Sequence, residues 1–168
     1  DDNIAIGLDA LGAMAATDAN DRNLAIGNYA LANAGASSNV ASDNVAIGYS
    51  AGVQVTTGDA NVAIGSLALD AQTTGSNNIA IGYEALGDLN HLDADANVAI
   101  GSYAGNTGDS QDLVNAKLNT LIGYASKTST ASADNQTVIG YAATGQANNS
   151  VTLGNADVTD VYMAQDSG

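Results

Sequence analysis

The chain contains no cysteine, proline, phenylalanine or tryptophan. Each absence removes a class of protein. Without cysteine there is neither a disulfide scaffold nor a thiolate metal site. Without Phe or Trp a thick globular centre lacks its usual filling, so the core is expected to be only one or two side chains across. Basic residues are nearly missing as well. Arg22, Lys117 and Lys127 stand against 18 acids, for a formal charge of −15. That balance argues against a nucleic-acid partner, which needs a basic footprint. No apolar run approaches the roughly 18 residues of a membrane span, so direct membrane insertion by this segment is not expected. No signal peptide is visible, and a chain starting at Asp1 reads as a processed or excised piece of something longer.

What is present is a phrase written many times. "DNVAIGYSAG" (Asp43 to Gly52) returns as "ANVAIGSYAG" (Ala96 to Gly105), with "NNIAIGYEAL" between them and "DDNIAIGLDAL" at the start. Aligned on Gly7, Gly27, Gly48, Gly65, Gly82, Gly101, Gly123, Gly140 and Gly154, the phrase occurs nine times at intervals of 14 to 22 residues. A constant short strand joined by turns of variable length gives such a wandering period. The residue before each glycine is Ile, or Leu153 in the last copy. Two residues earlier, all but Leu24 are β-branched, which suits strands. The residue between them is Ala in six copies, then Leu121, Val138 and Thr152. Strand alternation therefore predicts one aliphatic face and one flat face in each repeat.

Four residues before the glycine stands Asn in seven copies, then Gln136 and Ser150. Stacked copies would turn these into a polar ladder in which each amide bonds the copies above and below. After the glycine comes a second apolar pulse, with Ala three residues on in seven copies. The glycine then reads as a corner between two strands that requires a positive φ.

The expected fold is all-β: a parallel β-roll or β-solenoid of about nine short turns over 1–154, with 155–168 a connector to a following element. Nine turns about 4.8 Å apart make a rod on the order of 43 Å long. The flat Ala face calls for close approach to another sheet, so Ala5, Ala25, Ala46, Ala63, Ala80 and Ala99 are the expected contacts of a homo-oligomer whose axis follows the rod.

The tandem motif N-[VI]-A-I-G-x-x-A with irregular turns resembles the YadA-type head repeats of trimeric autotransporter adhesins, over nearly the whole chain. The resemblance implies a left-handed roll and a homotrimer with the rolls along the three-fold. The last three copies depart from the motif, which marks them for a change in subunit packing. "SVTLGNADVTDVYMAQDSG" (Ser150 to Gly168) is similar to the stretch that precedes an intramolecular chaperone in many trimeric tail-fibre and fibre-like surface proteins. That similarity implies a chaperone beyond the chain's end, cut off after templating the trimer.

Catalytic chemistry is hard to find. His91, the only histidine, sits in an acidic loop with Asp88, Asp93 and Asp95, and reads as a solvated loop residue. There is no G-x-S-x-G nucleophile motif and no RTX calcium repeat. "DADAN" and "DANDRN" lack the glycine and terminal glutamate of a calcium loop. No catalytic residue, cofactor site or metal site is assigned. Tyrosine supplies every aromatic ring, and Tyr49, Tyr83, Tyr103, Tyr124 and Tyr141 are the candidates for surface recognition of a protein or glycan.

The expected function is a non-enzymatic structural and adhesive segment of a trimeric fibre outside the cell, on a bacterial surface. A phage tail-fibre or tailspike shaft is the alternative, and a polysaccharide-processing solenoid a more distant one, since three basic residues make a poor catalytic set.

Overall fold

The computed structural model describes residues 2–14, 21–36, 40–87, 94–106 and 116–162. It is a β-solenoid. Nine strands form a single parallel sheet in strict chain order: β1 (Ile4–Ile6), β2 (Leu24–Ile26), β3 (Val45–Ile47), β4 (Val62–Ile64), β5 (Ile79–Ile81), β6 (Val98–Ile100), β7 (Thr120–Ile122), β8 (Gln136–Ile139) and β9 (Ser150–Leu153). The register is equally regular: Val62 lies over Val45, Ala63 over Ala46, and Ile64 over Ile47. Each copy of the phrase therefore contributes one coil, whatever its loop length.

Each coil has one strand, not the expected pair. The second apolar pulse is a run of turns. In the second coil Ala30, Ala32 and Ala34 donate their N–H groups to the carbonyls three residues back, at 3.0–3.3 Å. Alternate residues there adopt positive φ although they are not glycine: Leu67 and Leu69 at 58° and 55°, Glu84 and Leu86 at 50° and 49°. Such residues cost roughly 1–2 kcal/mol each in the left-handed region. Stacking offsets the cost, because the same turns bond from coil to coil, as in Leu69 N–H to Ala85 O (2.9 Å) and Leu86 N–H to Ala104 O (2.9 Å).

The corner glycines are at the position the sequence implies. At Gly82 φ is +134°, and a Cβ would stand 2.6 Å from both the carbonyl carbon and oxygen of Gly101 in the next coil. Successive coils touch backbone to backbone there, so a side chain has neither the conformation nor the room.

The alternation of the strands is as expected, but its sense is reversed. Ala25, Ala46, Ala80 and Ala99 are completely buried inside their own chain, and Ala63 nearly so. They point into the coil, whereas Leu24 and Ile26, Val45 and Ile47, Val62 and Ile64, and Ile79 and Ile81 point outwards, half-exposed. The six alanines assigned to a subunit contact are thus not on the face that another chain could reach. Five of them line the interior, and Ala5 is exposed in the first strand. The physical reason is width. Opposite the strand, the turn places Leu31, Leu69 and Leu86 in the interior, each almost fully buried. A narrow coil that receives Leu from one wall has room only for Ala from the other.

The same trade explains the later coils. Four residues after the glycine, Leu stands in the first, second, fourth and fifth coils, Gly52 and Gly105 in the third and sixth, and Lys127 and Thr144 in the seventh and eighth. There the strand itself supplies the bulk, through the buried Leu121 and Val138. Inside, their departure from the motif keeps bulk in the interior. Outside, Thr120 and Thr137 replace the aliphatic residue of the earlier coils, so one row of the outer face turns polar there.

Candidate functional site

Three lengthwise files of side chains run along the rod, and each is a candidate for function.

The first is interior. Asn23, Asn44, Asn61, Asn78, Asn97 and Asn119 are buried and joined rung to rung. Asn61 N–H donates to Asn44 Oδ1 (2.9 Å), Asn78 N–H to Asn61 Oδ1 (2.9 Å), and Asn97 N–H to Asn78 Oδ1 (3.0 Å). Each Nδ2 also holds a loop carbonyl: Asn61 that of Gly75 (2.9 Å), Asn78 that of Ala94 (2.8 Å), and Asn119 that of Ala133 (2.7 Å). This is the expected amide ladder, with the side-chain groups of these six asparagines answered by the fold itself. It ends at Gln136. The Gln136 N–H still donates to Asn119 Oδ1 (2.9 Å), but its side chain turns back to Ser129 and offers no oxygen to the ninth strand.

The second file was not read from the sequence. Six residues before the glycine, short polar side chains cap the backbone of the preceding coil. Asp59 Oδ1 accepts from Ser42 N–H (2.8 Å), Ser76 Oγ from Asp59 N–H (3.0 Å), and Asp95 Oδ1 from Ser76 N–H (2.7 Å). Asp134 Oδ1 accepts from Lys117 N–H (3.2 Å), and Asn148 Oδ1 from Asp134 N–H (3.0 Å). The signal was available: aligned on the glycine, this position reads Asp, Ser, Asp, Ser, Asp, Lys, Asp, Asn from the second copy to the ninth. Part of the acid content is therefore structural. Of the acidic loop around the histidine, Asp95 is one of these caps; Asp88, His91 and Asp93 lie outside the described residues. Among the described residues, no group of three or more His, Cys, Asp or Glu side chains is arranged to hold a metal.

The third file is the tyrosines. None belongs to the core. Tyr29 and Tyr49 meet edge to face at 5.9 Å between ring centroids. Further along, Tyr83, Tyr103, Tyr124 and Tyr141 form a continuous file with steps of 5.3, 5.8 and 5.6 Å. The first two contacts are edge to face and the last is stacked. Tyr83, Tyr124 and Tyr141 follow their corner glycines directly, whereas Tyr103 comes one residue later. A left-handed backbone at Tyr103 (φ 59°) accompanies its place in line. All five tyrosines singled out from the sequence are on the surface, with Tyr49 set apart from the other four.

A hydrogen bond to Glu84, reinforced by burial and by the charge of that carboxylate, pushes the Tyr83 phenol up to about 12. Glu84 also accepts from Asn106 Nδ2 (3.3 Å). The neutral phenol is the form favoured by folding, so this contribution is complete below pH ~10 and lost as the pH climbs from there towards 12. A spectrophotometric tyrosinate titration should show a step near pH 12 that is absent in Tyr83→Phe. In Glu84→Gln that step should move down towards the ordinary phenol range; an unmoved step would refute the assignment of its cause.

An open cleft of about 580 Å3 lies past β9, lined by Thr144, Gln146, Thr152, Asn155 and Asp157 among others. Its one carboxylate, Asp157, accepts from Asn155 Nδ2 (3.4 Å), while Asn155 Oδ1 accepts from the Asp157 backbone N–H (3.1 Å). Among the described residues, no helix is long and apolar enough to cross a membrane. No protein-family model, curated protein or solved structure matches the chain.

Proposed function

We propose that the chain is a structural and adhesive segment of a homotrimeric fibre, without enzymatic activity, that stands outside the cell on a bacterial surface or a virion tail. The observation that carries this reading is the outer face of the sheet. From β2 to β6 it presents two parallel rows of Leu, Val and Ile, none of them buried. The two rows are about 7 Å apart and run along the rod. A strand face meant for water would carry polar residues; here it is the inward face that is small and the outward face that is greasy.

Each of these ten side chains retains on the order of 1 kcal/mol to be gained by full burial. Together that is on the order of 10 kcal/mol per chain, enough to compete with the association cost of about 4–15 kcal/mol and with repulsion between chains of charge −15. A stripe that follows the rod is covered best by a second rod lying alongside it, and a closed ring of identical rods covers every stripe. The number three comes from the resemblance to YadA-type heads. The interface residues in this reading are the outward aliphatics, Val62, Ile64, Ile79 and Ile81 among them, in place of the alanines.

The mass of the assembly tests it. Light scattering on the purified chain should give three times 16.6 kDa. Ile64→Asp with Ile81→Asp should reduce it to a single chain with the coil spectrum retained, because both side chains are half-exposed and leave the interior intact. A wild-type monomer, or a double variant of unchanged mass, would refute the proposal.

A further inference from the structure

The four-membered tyrosine file has a geometry that packing does not require. Its rings fill no cavity: Tyr83, Tyr124 and Tyr141 are 42%, 49% and 67% exposed. The sixth coil has Ser102 where the neighbouring coils have tyrosine, yet the file is unbroken, because Tyr103 takes the place from a left-handed backbone position. The file thus presents aromatic surface at each of four successive coils. The rings recur once per coil, about 4.8 Å along the rod, and it is this advance that a partner lying along the file must match. The centroid steps of 5.3, 5.8 and 5.6 Å are longer because the rings are also offset sideways. An extended peptide places same-side residues about 6.8 Å apart, longer than any of these steps, and loses register within the file. A chain of 1,4-linked pyranose rings advances about 5 Å per ring, as bonds of about 1.5 Å dictate, and keeps it.

Charge narrows the partner further. The ionisable side chain that bonds the file is a carboxylate, Glu84, and the chain carries −15. An acidic polymer is repelled. A hydroxyl-rich neutral one is not: its C–H groups can lie against exposed rings that present edges as well as faces along the file, and its hydroxyls can donate to Glu84, whose carboxylate has about four acceptor positions of which Asn106 occupies one.

We propose that the strip Tyr83–Tyr103–Tyr124–Tyr141 binds a linear, uncharged, 1,4-linked polysaccharide lying along the rod. This deepens the adhesive reading and rests on it, by naming the class of receptor.

The test is titration calorimetry of the full chain, in its native assembly, with chitopentaose and cellopentaose. A uronic-acid pentamer and a basic decapeptide serve as comparisons. Saturable binding of at least one neutral pentamer is expected, with the uronic-acid pentamer at least tenfold weaker. Tyr103→Ala and Tyr141→Ala should each weaken binding at least fivefold. Tyr162→Ala, at a ring off the file and 92% exposed, should not change it. Tyr141 is two-thirds exposed, so Tyr141→Ala keeps the fold and its result stands even if Tyr103→Ala does not express. Binding of neither neutral pentamer, binding undiminished in Tyr141→Ala, or preference for the acidic sugar or the peptide would each overturn the proposal. The mass measurement is independent: a monomer that binds chitopentaose refutes the fibre and not the strip, and a trimer that binds neither pentamer does the reverse.

Discussion

Asn78→Leu is expected to unfold the rod or to remove most of its stability. The substitution leaves Asn97 N–H and Asn97 Nδ2 without the oxygen they share (3.0 and 3.1 Å), and the Ala94 carbonyl without its short donor (2.8 Å), with only the long contact from Gln72 Nε2 (3.5 Å) in its place. All three sites are buried. An unanswered buried polar group costs about 1–3 kcal/mol, so three cost roughly 3–9 kcal/mol against the ~5–15 kcal/mol that typically holds a domain together. Denaturant unfolding measures the loss. Gln146→Ala is the control, since it removes only an exposed side-chain contact with the Thr144 carbonyl (2.9 Å) and should cost no more than about 0.5 kcal/mol. Equal effects of the two would sink the account. Asn78→Asp adds a sign. Burial and the neighbouring Asn61 Oδ1 disfavour its ionised form and raise its folded pKa. Its stability should therefore be greatest in mild acid and fall as the pH rises through that pKa.

Gly82→Val should be comparably severe for a different reason. No hydrogen-bonding group is deleted. The backbone must leave φ +134°, and a β-branched side chain must displace the Gly101 peptide, 2.6 Å from where its Cβ would be. Because Gly101 stands in the same relation to Gly123, moving one corner pushes on the next. A loss above about 4 kcal/mol, or failure to fold, is expected, read by circular dichroism and thermal unfolding. Gly87→Ala is the comparison: its nearest neighbours to a Cβ are 3.2–3.3 Å away and two of the three belong to side chains, so the change should be mild. A Gly82→Val chain melting near the wild type would refute the corner argument.

These two predictions use the parts of the fold that were legible without coordinates. The glycine spacing marks every coil, and the asparagine four residues earlier marks every rung. The sense of the strand faces was not legible. Alternation says which residues share a face and is silent on which face is inside. The alanines looked like a surface for close approach because the leucines that crowd them, such as Leu69 and Leu86, arrive from another wall of the coil. The turns were misread for a related reason. Leu67, Leu69, Glu84 and Leu86 have positive φ with nothing in their side chains to announce it; the stacking of whole coils imposes it. As for the candidate sites, the tyrosines could be picked out one by one. Their union into a file depended on Tyr103 reaching the line from a different backbone position.

The coil-to-coil bonds bear on what happens when the rod is pulled. Hydrogen bonds between stacked coils point along the rod, so tension applied at its ends loads the coil interfaces in series, and the weakest one yields first while the others keep their length. The amide ladder locates it. From Asn23 to Asn119 each interface has the sheet bonds and an interior rung. Past Gln136 the rung is missing, and Ser150 bonds within its own turn, to the Ala147 carbonyl. Four paired strand residues and the exposed bonds of Asn148 and Asn149 still hold the seam between β8 and β9, but without an interior rung it is expected to be the mechanical fuse of the described coils, peeling before those whose interiors are tied.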